Sequence, residues 1–337
     1  MSAQTLTDTV VTDLVADATA APSMHNAQPW LFRYSRGDRT LALRADFERA
    51  LPAADPSARA LHVGCGAALL NLRVSAAHHG LSAATTLLPA PSDPAFLAAV
   101  RLDTAPGSRP GTPGDRADEA LRALHPAIAE RHTSRYPFDE QPIPDDVRAR
   151  LVDAARTEGA DLAFLAPPHL ETVLDLIRDA EGYDRADPAR EAEQEHWARF
   201  TRTDAPDDGI PDYAFGPRDA SERAINRDFT GTRAPAGRPR VLFERRPQLA
   251  LLSTENDRPA DWLRAGQALE RVLLAATLDA VSTSFATQPV EWPDLRWVLR
   301  DPLHGTGHPQ MIIRMGYGPT GPRTPRRRPD RVLTIEP

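Results

Sequence analysis

The sequence contains no lysine, so all 40 of its basic residues are arginine. This absence excludes the P-loop of nucleotide hydrolases, Schiff-base catalysis and the S-x-x-K acyl-transfer nucleophile, each of which needs a lysine. Cys65 is the only cysteine among 337 residues, which excludes an internal disulfide and a cysteine-based zinc site. Arginine must therefore supply the positive charge of any anion-binding site, and its planar, fork-shaped guanidinium group suits phosphate recognition.

Long apolar runs and a leader-like start are also missing. No window approaches about 18 consecutive apolar residues, and residues 1–20 combine neither a basic region nor an apolar core. We therefore expect a cytoplasmic protein without a membrane partner. The formal net charge of −7 argues against nucleic acid as a partner, and no metal site is predicted.

The apolar residues that are present, 41% of the chain, are enough for a sizeable core. Their spacing alternates between helical and strand periods, which predicts an α+β fold. Helices are predicted near 5–21, 57–80, 117–131, 145–160, 169–183 and 261–280. Strands are predicted at "WLFRY", "TLALRA", "AATTLLP", "AFLAAVRLDT", "DLAFL", "QLALLST" and "PQMIIRMGYG".

Three pairs of segments resemble each other in the same order along the chain. "LVADAT" matches "LVDAAR" at an offset of 137 residues, the segment from Asp55 matches that from Asp257 at 202, and "AVRL" matches "IIRM" at 213. The pattern predicts two copies of one unit, residues 1–105 and 116–337, joined by a Pro- and Gly-rich linker at 104–115. The second copy carries an irregular insertion at about 183–240. Fused copies would form a pseudo-two-fold interface.

Each copy has a motif that the other lacks. The first has "APSMHNAQPW", where the second has only "TEGAD"; the second has "RHTSRYPFDEQPIP" ahead of its helix. This complementarity predicts one shared site instead of two. Together the two motifs resemble the nitroreductase family of FMN flavoproteins, usually homodimers with FMN at the subunit interface. The fused arrangement, with "DGIPDYAFGP", "FATQPVEWPDLR" and "TPRRRP", resembles the actinobacterial Acg group.

The resemblance implies a nitroreductase-like pseudo-dimer, monomeric or weakly dimeric, with FMN bound between its halves. Arg131 and Arg135, with the hydroxyls of Thr133 and Ser134 between them, suit the phosphate. Gln28 and Trp30 are expected to anchor their loop. The complete predicted cofactor set is Pro22, Ser23, Met24, Asn26, Arg131, His132, Thr133, Ser134, Arg135, Gln288, Arg326 and Arg327.

Structural interpretations of the same motifs remain open. The arginines at 131 and 135 could be a solvated helix end, the run at 323–328 an exposed basic tail, and the N-x-Q-P-W loop a turn around a buried tryptophan. The insertion, with aromatics at 196, 197, 200, 213 and 215, is predicted to be a lid over the flavin, or else surface decoration.

The predicted function is an FMN oxidoreductase that moves a hydride through flavin N5 from NAD(P)H to a small nitroaromatic, quinone or enone. The chemistry would be flavin-borne, so no catalytic side chain is predicted. Two alternatives are a non-catalytic FMN storage protein whose lid covers the ring, and a flavin-free interaction protein that kept only the scaffold.

Overall fold

The two predicted copies are visible in the order of the elements. The computed structural model describes residues 6–104, 113–200, 207–220, 227–229, 237–300 and 307–337. Most of the predicted linker, residues 105–112, lies outside the described residues. The first copy consists of α1 (Asp8–Thr19), β1 (Trp30–Ser35), β2 (Thr40–Ala45), α2 (Arg59–His78), β3 (Leu81–Leu87) and β4 (Phe96–Thr104).

The second copy repeats this order after two short helices and adds an insertion. Its elements are α3 (Pro113–Arg122), α4 (His125–Glu130), α5 (Asp145–Thr157), β5 (Asp161–Phe164), α6 (His169–Ala186), α7 (Pro188–Trp197), β6 (Ala198–Arg199), β7 (Ile210–Pro211), β8 (Arg218–Asp219), β9 (Arg240–Val241), β10 (Gln248–Thr254), α8 (Pro259–Leu278), β11 (Ser282–Phe285), α9 (Pro293–Val298), β12 (His308–Gly316), α10 (Pro329–Val332) and β13 (Leu333–Glu336).

Two antiparallel sheets share one strand order. The first runs β1-β2-β4-β3 and the second β5-β10-β12-β11. Both sheets carry a bulge at the same place: the register shifts after Leu43 in β2 and after Leu252 in β10. Just before the bulge, Leu43 pairs with Ala98 in the first sheet and Leu252 pairs with Met311 in the second. Ala98 of β4 and Met311 of β12 are therefore equivalent positions, and they are separated by the predicted offset of 213 residues. The predicted duplication is confirmed.

The predicted alignment of the long helices is two residues out of register. Helix α2 spans 59–78 and α8 spans 259–278, so the offset is 200 instead of 202. The error has a simple cause: Gly64 and Gly66 lie two positions apart in an Ala- and Leu-rich helix, and the alignment matched Gly64 instead of Gly66 to Gly266. The correct partner is Gly66.

Helices α2 and α8 cross in backbone contact at these two glycines. A Cβ on Gly66 would lie 2.3 Å from the carbonyl oxygen of Leu263, and a Cβ on Gly266 would lie 2.0 Å from that of Val63. The two contacts are reciprocal at the same offset of 200, as a pseudo-two-fold axis requires. The halves therefore meet along two buried helices with no room for a side chain at their crossing.

The end of the chain returns to the first sheet. Strand β13 pairs in parallel with β1, with Leu333 opposite Phe32, and Val332 lies in the core of the first half. The segment 319–328 therefore has to pass from the second sheet, across the interface, to the first.

Two predicted elements differ in the structure. The helix expected over 117–131 is broken into α3 and α4, because Pro126 has no N–H to continue the hydrogen-bond ladder; Arg131 consequently follows α4 in an extended conformation. The insertion is more helical than predicted: α6 continues to Ala186, and α7 starts at Pro188 with the Asp187 carboxylate accepting from the N–H of Ala189 at 2.9 Å.

Helix α2 is the one helix among the described residues that is long and apolar enough to cross a membrane. In this protein 89% of that apolar window is buried inside the fold, as expected of a core helix.

Candidate functional site

A cavity between the two halves encloses about 1080 Å³ of space including its open mouth, and residues of both halves line it. Helices α2 and α8 and strands β11 and β12 form its apolar wall through Val63, Leu269, Phe285 and Met311. We call it the central cavity. Of the predicted cofactor residues, it is lined by Pro22, Ser23, Met24, Asn26, Thr133, Arg135 and Arg326.

The loop after α1 forms one side of the central cavity. Left-handed backbone at His25, Asn26 and Gln28 turns the chain sharply, and the Ser23 hydroxyl fixes the turn by accepting from the N–H of Gln28 at 2.9 Å. Asn26 donates from Nδ2 to the carbonyls of Gly209 at 2.9 Å and Pro325 at 3.0 Å. Both amide protons of Asn26 are thus used within the protein, and its predicted contact with the flavin edge stays a prediction.

The segment 131–135 forms another part of the lining of the central cavity. Backbone pairing holds it along β11, with the N–H of Ser134 donating to the carbonyl of Thr283 at 2.8 Å. Thr133 and Arg135 line the central cavity, whereas the Ser134 hydroxyl is buried and donates to the carbonyl of Pro319 at 2.6 Å. Gly321 allows the returning tail to lie on this segment, since a Cβ there would be 1.9 Å from the Thr133 carbonyl oxygen.

Arg131 is buried behind the cavity and is not among its lining residues. Its Nη2 donates to the carbonyl of Ala20 at 2.9 Å, and its Nε lies 3.4 Å from the buried carboxylate of Glu270. Burial raises the pKa of Glu270, while the Arg131 charge opposes that rise. The solvated-helix-end interpretation of Arg131 is wrong, because the residue is 3% exposed. His132 is half-buried beside it, and burial together with neighbouring arginines lowers the pKa of His132.

The tail arginines divide into two roles. Arg326 lines the cavity and donates to Asn26 Oδ1 at 3.0 Å and to the carbonyl of Ala20 at 3.2 Å. Arg327 lies outside the lining and donates to Gln28 and to Asp46, at 3.2 and 3.3 Å. Neither is part of a freely exposed tail. Gln288 is fully buried, donates to Glu181 at 3.2 Å and does not line the cavity.

Gln28 and Trp30 have the anchoring positions predicted for them. Both side chains are completely buried. Gln28 accepts from the N–H of Arg327 at 2.7 Å and donates to the carbonyl of Asp207 at 2.7 Å, which joins the loop to the tail and to the insertion.

Several lining residues were missed by the sequence analysis. They are His25, Arg59, Ile210, Arg227, Phe229 and Glu291. Arg59 begins a helix that otherwise looks like pure core, and Ile210, Arg227 and Phe229 lie in the insertion, where no periodicity points to a site. Glu291 lies in the segment "FATQPVEWPDLR", which carries the family resemblance but from which the sequence analysis selected only Gln288. The aromatic side chain from the insertion that lines the cavity is Phe229; Phe200 and Phe215 pack around one another beside it, and Tyr213 is exposed.

The cavity is cationic in an acidic protein. Four arginines, at 59, 135, 227 and 326, line it against one carboxylate, Glu291, which binds Arg227 at 2.5 Å. Burial, and then the charges of neighbouring arginines, lower the pKa of Arg135 and of Arg326. An anionic ligand would relieve this repulsion.

Unused donors lie where the loop, the segment 131–135 and the tail meet. Arg131 and Arg326 both donate to the Ala20 carbonyl, yet the buried Nε of Arg326 and the buried Nε and Nη1 of Arg131 have no hydrogen-bond partner among the described residues. Buried donors without partners are rare in native proteins. A flat ligand with an apolar body and a phosphate, such as the FMN implied by the motifs, fits these residues.

His25 provides a pH-dependent marker of the site. It is 6% exposed, its Nδ1 has no partner among the described residues, and its ring packs edge-on against Phe229. Burial, and then the charges of Arg227 and Arg135, lower its pKa well below the usual 6.5. The folded protein thus keeps this imidazole neutral when the unfolded chain would protonate it.

We therefore expect stability to fall as pH drops below about 6.5, with His25 contributing roughly 1 kcal/mol per pH unit until its folded pKa is reached. The unfolded state binds the proton more readily, so acid favours unfolding. In His25→Asn, which tolerates the left-handed backbone, the slope of unfolding free energy against pH between 5 and 6.5 should be shallower. His196→Gln, on the exposed end of α7, is the control; equal slopes for wild type and His25→Asn would contradict the assignment.

Comparison with known proteins agrees with these features. The nitroreductase family model matches residues 128–317. The Mycobacterium tuberculosis protein "Putative NAD(P)H nitroreductase acg" is 32% identical over 98% of this chain and 97% of its own length. "Uncharacterized protein Rv3127" of the same organism is 31% identical over 94% of this chain and 91% of its own length.

A solved structure, that of the FMN and NADPH-dependent nitroreductase NfnB from Sphigopyxis sp. strain HMH, is 14% identical. It covers 64% of this chain and 99% of its own, with a TM-score of 0.39.

Proposed function

The chain belongs to the nitroreductase family, and on that premise we propose that it is an FMN-dependent oxidoreductase acting between NAD(P)H and a small nitroaromatic, quinone or enone acceptor. One observation carries the proposal. The loop of the first half and the segment 131–135 of the second line the same cavity, with the tail residue Arg326 between them. FMN, when bound, supplies hydride transfer at its N5 position.

The residues of this chain would bind and orient the cofactor. Arg326, with Arg131 behind it and Thr133 beside it, supplies charge and donors for the phosphate. The backbone of the loop at 22–26 and the apolar wall of α2 and α8 would hold the ring, and Phe229 of the insertion lines the same cavity.

One cofactor per chain is the expected stoichiometry. The loop that joins α1 to β1 spans ten residues, whereas the equivalent connection between α5 and β5 spans only three. At that shortened connection Glu158 lies between Arg73 and Arg271, at 2.6 and 2.7 Å. Ion-paired side chains therefore fill the region equivalent to the loop, and we propose that a monomer, or a weak homodimer, carries one complete site per chain.

The test is a visible spectrum of the purified protein after incubation with FMN, followed by anaerobic titration with NADH and with NADPH. We expect one FMN per chain, bleaching by at least one donor, and reoxidation by a nitroaromatic or a quinone. Two FMN per chain would contradict the single-site argument. A colourless protein that takes up no FMN would overturn the whole proposal and favour a scaffold without flavin.

A second candidate is FMN storage, and the position of the insertion favours it. Ile210, Arg227 and Phe229 line the cavity, and Arg227 is held there by the buried carboxylate of Glu291 and by Asp184 at 3.6 Å. A cover fixed by buried ion pairs could keep donors away from the ring. Tight FMN binding without bleaching by either NADH or NADPH would support storage over catalysis.

A further inference from the structure

A second cavity adjoins the central one and is not used by the site described above. It measures about 900 Å³ including its open mouth and shares Arg59, Ala60, Val290 and Glu291 with the central cavity. We call it the side cavity. Since four residues line both spaces, a ligand that is longer than one cavity could extend from one into the other.

Arg59 stands at the junction between the two cavities. It is 5% exposed, and its guanidinium donates to three neutral acceptors: the carbonyl of Gln310 at 2.7 Å, the Gln310 side-chain oxygen at 3.2 Å and the carbonyl of Val290 at 3.1 Å. No carboxylate is bonded to it in the part of the chain that the structure describes. A buried cation held only by neutral groups favours an anionic ligand at this point.

The carboxylates that line the side cavity with Arg59 are bonded to other groups. Arg296 forms a bidentate pair with Asp257, with both distances at 2.8 Å, and the indole of Trp262 donates to the same carboxylate at 2.6 Å. Asp257 is thus already neutralised by Arg296. The other two carboxylates that line the side cavity also have partners: Asp55 accepts from the N–H groups of Ala60 and Leu61 at 3.0 and 2.9 Å, and Glu291 binds Arg227 at 2.5 Å.

The outer end of the side cavity has an aromatic surface. Trp297 on α9 is 66% exposed, which is unusual for the largest apolar side chain. The guanidinium of Arg300 lies 4.2 Å from its ring centre, and Arg300 also reaches His308 at 2.9 Å, so one cation is already held beside the indole. Exposed aromatic rings next to arginine are typical stacking surfaces for nucleobases.

We propose that the side cavity binds the adenosine diphosphate portion of the nicotinamide dinucleotide, with Arg59 facing the pyrophosphate and Trp297 facing the adenine. This inference rests on the proposed function, because the nicotinamide end would then enter the central cavity. The central cavity with its apolar wall comes first, then the buried Arg59, then the exposed Trp297. This order matches that of nicotinamide ring, pyrophosphate and adenine in the dinucleotide.

The experiment titrates ADP-ribose into the FMN-loaded protein and follows binding by calorimetry. ADP-ribose lacks the nicotinamide, so the measurement reads the side cavity without any electron transfer. We expect saturable binding of one ADP-ribose per chain. Trp297→Ala should weaken it by about ten-fold or more, and Trp297→Phe should restore most of the affinity, because a ring remains for stacking.

Arg59→Gln should weaken ADP-ribose binding by about ten-fold or more through loss of its charge. Leu278→Ala, which removes an exposed apolar side chain at the end of α8, is the matched control for Trp297→Ala and should bind as wild type does. FMN content should be unchanged in Trp297→Ala. Absence of ADP-ribose binding, or equal affinity in wild type and Trp297→Ala, would overturn this inference, while bleaching of FMN by NAD(P)H would leave the proposed function intact.

Discussion

Arg326→Ala is expected to weaken FMN binding by about ten-fold to a hundred-fold, as loss of a charge-assisted hydrogen bond does. The side chain lines the central cavity, and its buried Nε has no partner among the described residues. Its other nitrogens hold the loop in place through Asn26 Oδ1 and the Ala20 carbonyl. The substitution therefore removes both a phosphate donor and the support of the loop. The measurement is the dissociation constant from quenching of FMN fluorescence by the apoprotein.

Arg327→Ala is the matched control, since it removes the same charge from the next residue. Arg327 donates to Gln28 and Asp46 and does not line the cavity. We expect it to change FMN affinity by less than about three-fold, through long-range charge alone. Equal losses of FMN affinity in the two variants would mean that the tail acts only through its overall charge. Unchanged FMN affinity in Arg326→Ala would show that Arg326 does not bind the phosphate.

Arg131 is a poorer probe of the same site, although its sequence motif is the clearer one. Its removal would leave the carboxylate of Glu270, which is fully buried, without its cation. Breaking a buried pair in this way costs roughly 3–5 kcal/mol. A loss of FMN in that variant could therefore come from unfolding. Among the described residues Arg326 forms no close ion pair, and it acts on Glu270 only as a weaker, more distant charge than Arg131 does.

The sequence was sufficient to predict what local periodicity and paired motifs encode. The strands of both sheets and the long helices follow from patterns within single segments. The meeting of the loop at 22–26 with Thr133 and Arg135 was predicted from two motifs, each present in only one copy, and from the family resemblance. The missed features depend on contacts between distant segments. Strand β13 has only four residues, and it forms because the free edge of β1 offers hydrogen-bonding groups for parallel pairing. Arg59 can be distinguished from a core residue of its helix only when its contacts with Val290 and Gln310 are known.

The division of roles between Arg326 and Arg327 was beyond the sequence for the same reason. Adjacent residues in an extended segment point in different directions, so one faces the cavity and the other faces Asp46. The run of arginines signals an anion site, but which member serves it depends on the path of the tail over Thr133, fixed by Gly321.

Gly266→Ala is expected to have the largest effect on stability, a loss of about 3 kcal/mol or more. The new methyl would lie 2.0 Å from the Val63 carbonyl oxygen, 2.8 Å from the Gly66 Cα and 2.9 Å from the Ala67 nitrogen. All three are backbone atoms of α2, so no side chain can move aside and the helices themselves must separate. The measurement is the free energy of unfolding from urea denaturation.

Gly182→Ala supplies the control, because it is the same substitution in a helix with open space around it. Nothing lies within 4 Å of a Cβ at Gly182, which is exposed in α6. There alanine should stabilise by about 0.5–1 kcal/mol through helix propensity. The two variants are expected to change the free energy of unfolding in opposite directions. The comparison therefore separates the effect of the helix crossing from any general effect of adding a methyl group.

The crossing also links stability to the site. Val63 and Gly64 on α2 and Leu269 on α8 line the central cavity within one turn of the two glycines. If Gly266→Ala still folds, the separated helices should widen the cavity and weaken FMN binding together with the fold. A folded Gly266→Ala protein with wild-type stability would mean that the two halves are held together elsewhere, and the pseudo-two-fold contact at Gly66 and Gly266 would lose its role in forming the shared site.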